Sequence, residues 1–128
     1  MTYHFSKKID VTFEEALTKV EDALKIEGFG ILTQIDVKAT FKNKLDVDFR
    51  KYKILGACNP NFAIQAISAE AKVGTLMPCN VIVQETEDGK VEVSAINPRV
   101  TVGAIGNKNL DSLVDDVTNI MKKVVSNL

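Results

Sequence analysis

Hydrophobic positions along the chain switch between two periods, and the switches mark out the elements. Tyr3, Phe5 and Ile9 share one parity, and His4, Ser6 and Lys8 the other, which is the period of a half-buried strand. "TFEE" then opens a helix over residues 12–27, with Thr12 as N-cap and Glu15 in the capping-box position. Phe13, Ala16, Leu17, Val20, Ala23 and Leu24 recur at helical spacing, and Gly28 is the stop. "FGILTQIDV" reads as a second strand. "DVKATFKNKLD" predicts a short helix, with Val37, Phe41 and Leu45 at i, i+4 intervals and its lysines in water. "FRKYKILGAC" alternates again, Lys51 and Lys53 against Tyr52 and Ile54.

The second half follows the same logic. Asn59 is a good N-cap and Pro60 suits the first helical position. Phe62, Ala63, Ala66 and Ile67 give that helix a buried stripe, and it should end near Val73, before Gly74. "LMPCNVIVQE", the Asp88-Gly89 turn and "KVEVSAI" predict a β-hairpin, expected near a sheet edge. "NPRVTVGAIGNKN" reads as a turn, a short strand at "RVTV" and a glycine-containing loop. From Leu110 a stripe runs through Leu113, Val114, Val117, Ile120, Met121, Val124 and Val125. Its acids come first and its lysines last, as the helix dipole favours. The strands are amphipathic, so one sheet face is covered and one is wetter. The expected class is α+β: two layers, a mixed or mainly antiparallel sheet packed against helices. One domain over 1–128 suits the 128-residue length.

Composition narrows the partners. The chain is 45% hydrophobic and 26% charged, with 16 basic and 17 acidic residues and a net charge of −1. That balance lacks the basic footprint of a nucleic-acid binder. No apolar run approaches the roughly 20 residues of a membrane span. No signal peptide is visible in "MTYHFSKKID", so the expected compartment is the cytoplasm, where thiols stay reduced. A structural Cys58–Cys79 disulfide is therefore not the first expectation.

The chemistry concentrates around the two cysteines. Each is followed by an asparagine and has a proline nearby: Cys58-Asn59-Pro60 and Pro78-Cys79-Asn80. Cys58 ends a strand before a helix N-cap, and Cys79 opens a strand. Side-chain parity places Cys58 with Tyr52, Ile54 and Gly56, and Cys79 with Val81 and Val83. One reading is two small core residues at strand ends, since free cysteine is among the most buried residue types. The other is chemical. A thiol near a helix N-terminus can have a lowered pKa. If the strands are neighbours, Cys58, Cys79 and Met77 converge as a soft donor set, suited to an ion such as Cu(I). Persulfide or mixed-disulfide chemistry is equally open. The spacing matches neither a CxxC redox motif nor paired zinc knuckles. His4 is the only histidine, which leaves no second one for a His-rich metal site, and it reads as a surface or satisfied residue. Arg99 reads as an exposed loop charge that could reach a carboxylate or phosphate. No cofactor is called for.

"LGACNP" followed by "MPCNVIV" resembles the signature of the bacterial and archaeal family called domain of unknown function 302. The resemblance covers nearly the whole chain, from "TYHFSKKIDVTFEEAL" to the terminal helix. It implies a small α+β fold that assembles as a dimer, and it assigns no activity. It marks Cys58, Asn59, Pro60, Pro78, Cys79 and Asn80 as motif residues without roles. The expectation is a non-catalytic binding or accessory module, homodimeric, holding a small molecule or protein partner beside the two Cys-Asn pairs. The alternative is a sulfur carrier, redox or soft-metal-handling protein using Cys58 and Cys79. A third reading is a structural interaction domain with no pocket. For the dimer, the expected surface is Val81, Val83, Val91, Val93 and Ala95, as residues that one helix layer would leave uncovered.

Overall fold

All the segments with strand periodicity join one sheet, apart from "RVTV". The computed structural model describes residues 2–128. Its strands are β1 (His4–Ile9), β2 (Gly30–Asp36), β3 (Tyr52–Cys58), β4 (Cys79–Glu85) and β5 (Val91–Ile96). They form a five-stranded sheet in the order β1-β5-β4-β3-β2, with every neighbouring pair antiparallel. The helices are α1 (Phe13–Ile26), α2 (Val37–Leu45), α3 (Pro60–Ala69) and α4 (Asp111–Ser126). The fold is α+β, as the amphipathic strands imply.

Local chemistry sets several of these boundaries. The Glu15 N–H donates to Thr12 Oγ1 at 3.1 Å and fixes the start of α1. Gly28, just beyond α1, has φ +80°, a left-handed conformation that a Cβ would strain. The Asn59 side chain accepts from the backbone N–H of Asn61 at 3.0 Å and Phe62 at 3.3 Å, capping α3. Gly89, also left-handed, turns the β4–β5 hairpin.

The sheet pleat sorts the core. Leu55 and Ala57 of β3, Val81 and Val83 of β4, and Val91, Val93 and Ala95 of β5 all face α1 and α4 and are buried. Val20 and Leu24 of α1 and Met121 and Val124 of α4 meet them. A second buried cluster joins Ala66 of α3 to Val73, Leu110 and Val114.

The opposite face is open, and of its residues only Gly56 is buried. Register gives it three rows: His4, Ile96, Asn80, Gly56 and Thr33; then Ser6, Ser94, Ile82, Ile54 and Ile35; then Lys8, Glu92, Gln84 and Tyr52.

Several expectations change. The β4–β5 hairpin lies inside the sheet rather than near its edge, because β1 pairs along the whole of β5. Val81, Val83, Val91, Val93 and Ala95 are covered by α1 and α4, so they cannot be a dimer surface. "RVTV" falls in two short 3-10 turns, at Pro98–Val100 and Val102–Ile105, and closes no edge. Helix α3 stops at Ala69, where Glu70 turns extended and its carboxylate caps a further 3-10 turn, Ala71–Leu76. Ile67, expected in the buried stripe of α3, is exposed, and no residue of α2 is buried. In β3 it is the Lys53, Leu55, Ala57 parity that enters the core, leaving Tyr52 and Ile54 on the open face.

Candidate functional site

The two Cys-Asn pairs meet at one end of the β3–β4 ladder. Ala57 stands opposite Cys79, so Cys58 is one residue past the partner of the other cysteine. Beyond this end the chain leaves the sheet in two directions, into α3 and back through the Ala71–Leu76 turn. Between these segments and α4 lies a crevice with about 60 Å³ of interior space. Cys58, Asn59, Met77, Pro78 and Cys79 border it on the sheet side. Phe62, Ala66, Val73, Val114 and Val117 are among the residues that border it on the helix side. No ionisable group other than the thiols lines it.

Electrostatics follow from that lining. Cys79 shares the parity of Val81 and Val83, and burial pushes its thiol up to about 11. The neighbouring Cys58 adds to that shift. Burial also raises the Cys58 thiol. That direction is opposite to the lowered pKa expected beside the α3 N-terminus, whose first amides are already taken by Asn59. Both cysteines are free thiols of intermediate exposure.

The asparagines have different duties. Asn59 caps α3, and its Nδ2 lies 3.0 Å from the place a Cβ would occupy on Gly28, so the turn after α1 and the start of α3 touch at this side chain. Asn80 is exposed and stands on the open face, away from the crevice. Pro60 begins α3 and does not line the crevice. Pro78 packs on Gly56: a Cβ there would lie 2.7 Å from Pro78 Cγ.

As a metal site, the candidate set is Cys58, Cys79 and Met77, and all three border the crevice. Among the described residues, no three His, Cys, Asp or Glu side chains gather in a metal-binding group. His4 is engaged elsewhere: its Nδ1 is 2.6 Å from Ser6 Oγ, which is 2.6 Å from Ser94 Oγ. Arg99 reaches a carboxylate of the chain itself, Asp115, at 3.1 Å.

The sequence alone did not show the back wall. Pro98, Val102, Leu113, Val114 and Val117 come from segments distant from both motifs, and Val73 from the turn that leads into Pro78. The helical stripe from Leu110 marked three of them as apolar but not what they would cover. No sequence signal pointed to Val73.

The model of the family described as domain of unknown function DUF302 matches residues 5–128. The chain belongs to that family. Its fold is also that of a solved relative, the crystal structure of an uncharacterised conserved DUF302 protein from Bacillus stearothermophilus. The two superpose with a TM-score of 0.90, at 25% identity, over 98% of each chain. Among curated proteins nothing matches. Among the described residues, no helix is long and apolar enough to cross a membrane.

Proposed function

We propose that this DUF302 chain is a non-catalytic binding module whose crevice takes a small neutral ligand or the apolar end of a longer one. It would act as a homodimer in the cytoplasm. The observation that carries the reading is the crevice itself, where both family motifs meet a wall of apolar side chains. A charged guest would lose its hydration there with no opposite charge to compensate. Size sets a further limit. About 60 Å³ is under half the roughly 150 Å³ of an engineered cavity that takes up benzene. A whole aromatic ring is therefore not enclosed, and only a few atoms enter.

Xenon, a single apolar atom, is the direct probe. Methyl NMR under xenon pressure should show saturable shifts at Ala66, Val73, Leu113 and Val114. Phosphate and acetate should produce none there. Filling the space with Ala66→Leu should abolish the xenon response while the rest of the spectrum keeps its dispersion. Shifts that fail to saturate, or that acetate reproduces, would refute the reading.

A thiol-dependent role for the same crevice is supported by one observation: Cys58, Cys79 and Met77 all border it. These are soft donors, suited to a soft ion or a sulfur group. That reading requires Cys58 to react in the folded protein, since Cys79 is the more strongly suppressed of the two thiols.

A further inference from the structure

We propose that a free α-amino acid with an aliphatic side chain binds in a groove on the open face of the sheet, with Arg50 holding its carboxylate and Glu92 its ammonium. The groove is a different site from the crevice. It measures about 460 Å³ and lies over β1, β5, β4 and the start of β3. Small-molecule sites usually fall between roughly 300 and 1,000 Å³. Arg50, Gln84 and Glu92 lie at one end of it, His4 and Asn80 at the other, and Ile82 and Ser94 between them.

The first support is a cation that is held but not paired. Arg50 donates to Gln84 Oε1 through Nε at 3.1 Å and Nη2 at 2.9 Å. Its guanidinium carbon lies 4.5 Å from the centre of the Phe49 ring and 5.5 Å from that of Tyr52. Phe49 is braced in turn by Phe41 of α2, with ring centres 5.1 Å apart. Two rings and an amide therefore set the guanidinium before any guest arrives, which lowers the ordering cost of binding. Its remaining N–H groups are free to donate. Among the described residues Arg50 meets no carboxylate, whereas Arg99 pairs with Asp115.

The second support is the acid at the other end of the same amide. Gln84 Nε2 donates to Glu92 Oε1 at 3.4 Å. Glu92 is half-buried and forms no ion pair among the described residues. Lys8, its cross-strand neighbour on β1, turns to Asp88 instead, at 3.1 Å. Gln84 thus keeps two opposite charges apart, and neither cancels the other. Hydrogen bonds of 2.9 and 3.4 Å on either side of one amide place the two charges about 7 Å apart. In an α-amino acid the ammonium nitrogen and a carboxylate oxygen are about 3 Å apart. One charge-assisted hydrogen bond of about 2.8 Å at each end lets it span that gap.

The third support is what the groove disfavours. A phosphate at Arg50 would meet the Glu92 carboxylate, and a bare amine at Glu92 would meet the Arg50 cation. A guest carrying both charges meets neither repulsion. Ile82, next to Gln84 on the same face of β4, is only partly covered and gives an aliphatic side chain a floor. The hydroxyls beyond it are already engaged, with Ser6 linking His4 to Ser94.

The probe is L-leucine, titrated into the full chain at neutral pH and followed by amide NMR. Gln84, Glu92, Ile82 and Ser94 should shift and saturate, with a dissociation constant of about 1 mM. Ala66 and Val73 in the crevice should not move. N-acetylleucine lacks the ammonium and leucinamide lacks the carboxylate, and each should bind about tenfold more weakly, as expected for losing a hydrogen bond between charged groups. Arg50→Gln should weaken leucine about tenfold and leave leucinamide unchanged. Glu92→Gln should weaken leucine to the same degree and leave N-acetylleucine unchanged. The dispersion of each spectrum reports that the variant is folded, and the two analogues test the wild type without any substitution. No saturable shift up to about 20 mM leucine overturns the inference. So does either analogue binding as well as leucine, or either variant binding leucine as well as wild type does. Xenon tests the crevice separately, so either site can fail alone.

Discussion

Alkylation of the folded protein tests the thiol reading most sharply. Burial lifts the Cys79 thiol from an ordinary 9.0 to about 11. Two pKa units leave about a hundredfold fewer thiolates at pH 8. Each remaining thiolate is intrinsically about eightfold more nucleophilic, because nucleophilicity rises with pKa at a Brønsted slope of about 0.45. Ionisation alone therefore slows Cys79 about tenfold against an unperturbed thiol. The apolar crevice walls should slow it further. Cys58 is also raised, but less strongly, so it should carry the first label. Iodoacetamide at pH 8, followed by intact mass and peptide mapping, should show one adduct at Cys58 well before any at Cys79. Cys58→Ser should abolish the fast phase, and Cys79→Ser should leave it. The same shift predicts a stability change. Below pH 9 the Cys79 thiol is protonated in both states. Between pH 9 and about 11 the unfolded thiol ionises first, so stability falls, by up to about 2.7 kcal/mol across those two units. Urea midpoints at pH 8 and pH 10.5 should show a steeper loss in wild type than in Cys79→Ala. Equal labelling rates, or faster labelling at Cys79, would refute the account of desolvation. Resistance of both thiols until the protein unfolds would end the thiol reading and leave the apolar crevice intact.

Two substitutions test the scaffold around the crevice. A Cβ at Gly56 would lie 2.1 Å from Thr33 Oγ1 and 2.7 Å from Pro78 Cγ. Gly56→Ala should cost about 2–3 kcal/mol, lowering Tm by about 8–12 °C at roughly 4 °C per kcal/mol. Adding Thr33→Ala should restore part of it in calorimetry, whereas a Gly56→Ala protein within 1 °C of wild type would show that the site is roomier than its geometry. Asn59→Ala removes the cap of α3 and should cost about 1 kcal/mol in urea titration, while Asn59→Asp, which keeps the accepting oxygen, should cost less. An alanine variant as stable as wild type would remove the cap from the account.

Local signals were legible in the sequence, and long-range ones were not. Thr12 with Glu15, Asn59 with Pro60, and Asp88 with Gly89 fix boundaries through bonds or dihedrals within a few residues, and each sits where the sequence placed it. The end of α3 was missed because Ala69 and Glu70 carry no glycine or proline. The helix is stopped by an extended Glu70 whose carboxylate caps the next turn, an alternative that periodicity does not weigh. The place of β5 was missed for a different reason. Val91, Val93 and Ala95 show which face is apolar, but nothing local shows that β1, some eighty residues earlier, will flank them. The site was legible to the same degree. The two Cys-Asn motifs predicted a shared location, and the Ala57–Cys79 register supplies it. The wall from α4 depends on helix packing, which no motif encodes.

The pairing of cysteine with asparagine now has a physical reason at each site, and the reasons differ. In β4 the pleat sends Cys79 toward the helices and Asn80 toward the open face, so the dipeptide serves both sides of one strand end. At the end of β3 the pleat stops, and Asn59 turns the chain into α3 by accepting from its first amides. Between them, Gly56 and Pro78 hold the two faces together. Gly56 lies in the open-face row beside Asn80 and Thr33. The ring that crowds it belongs to Pro78, which also borders the crevice. Any guest that displaces Pro78 must therefore disturb the Gly56–Thr33 contact on the far side of the sheet. Close-packed interiors pass such shifts on rather than absorb them.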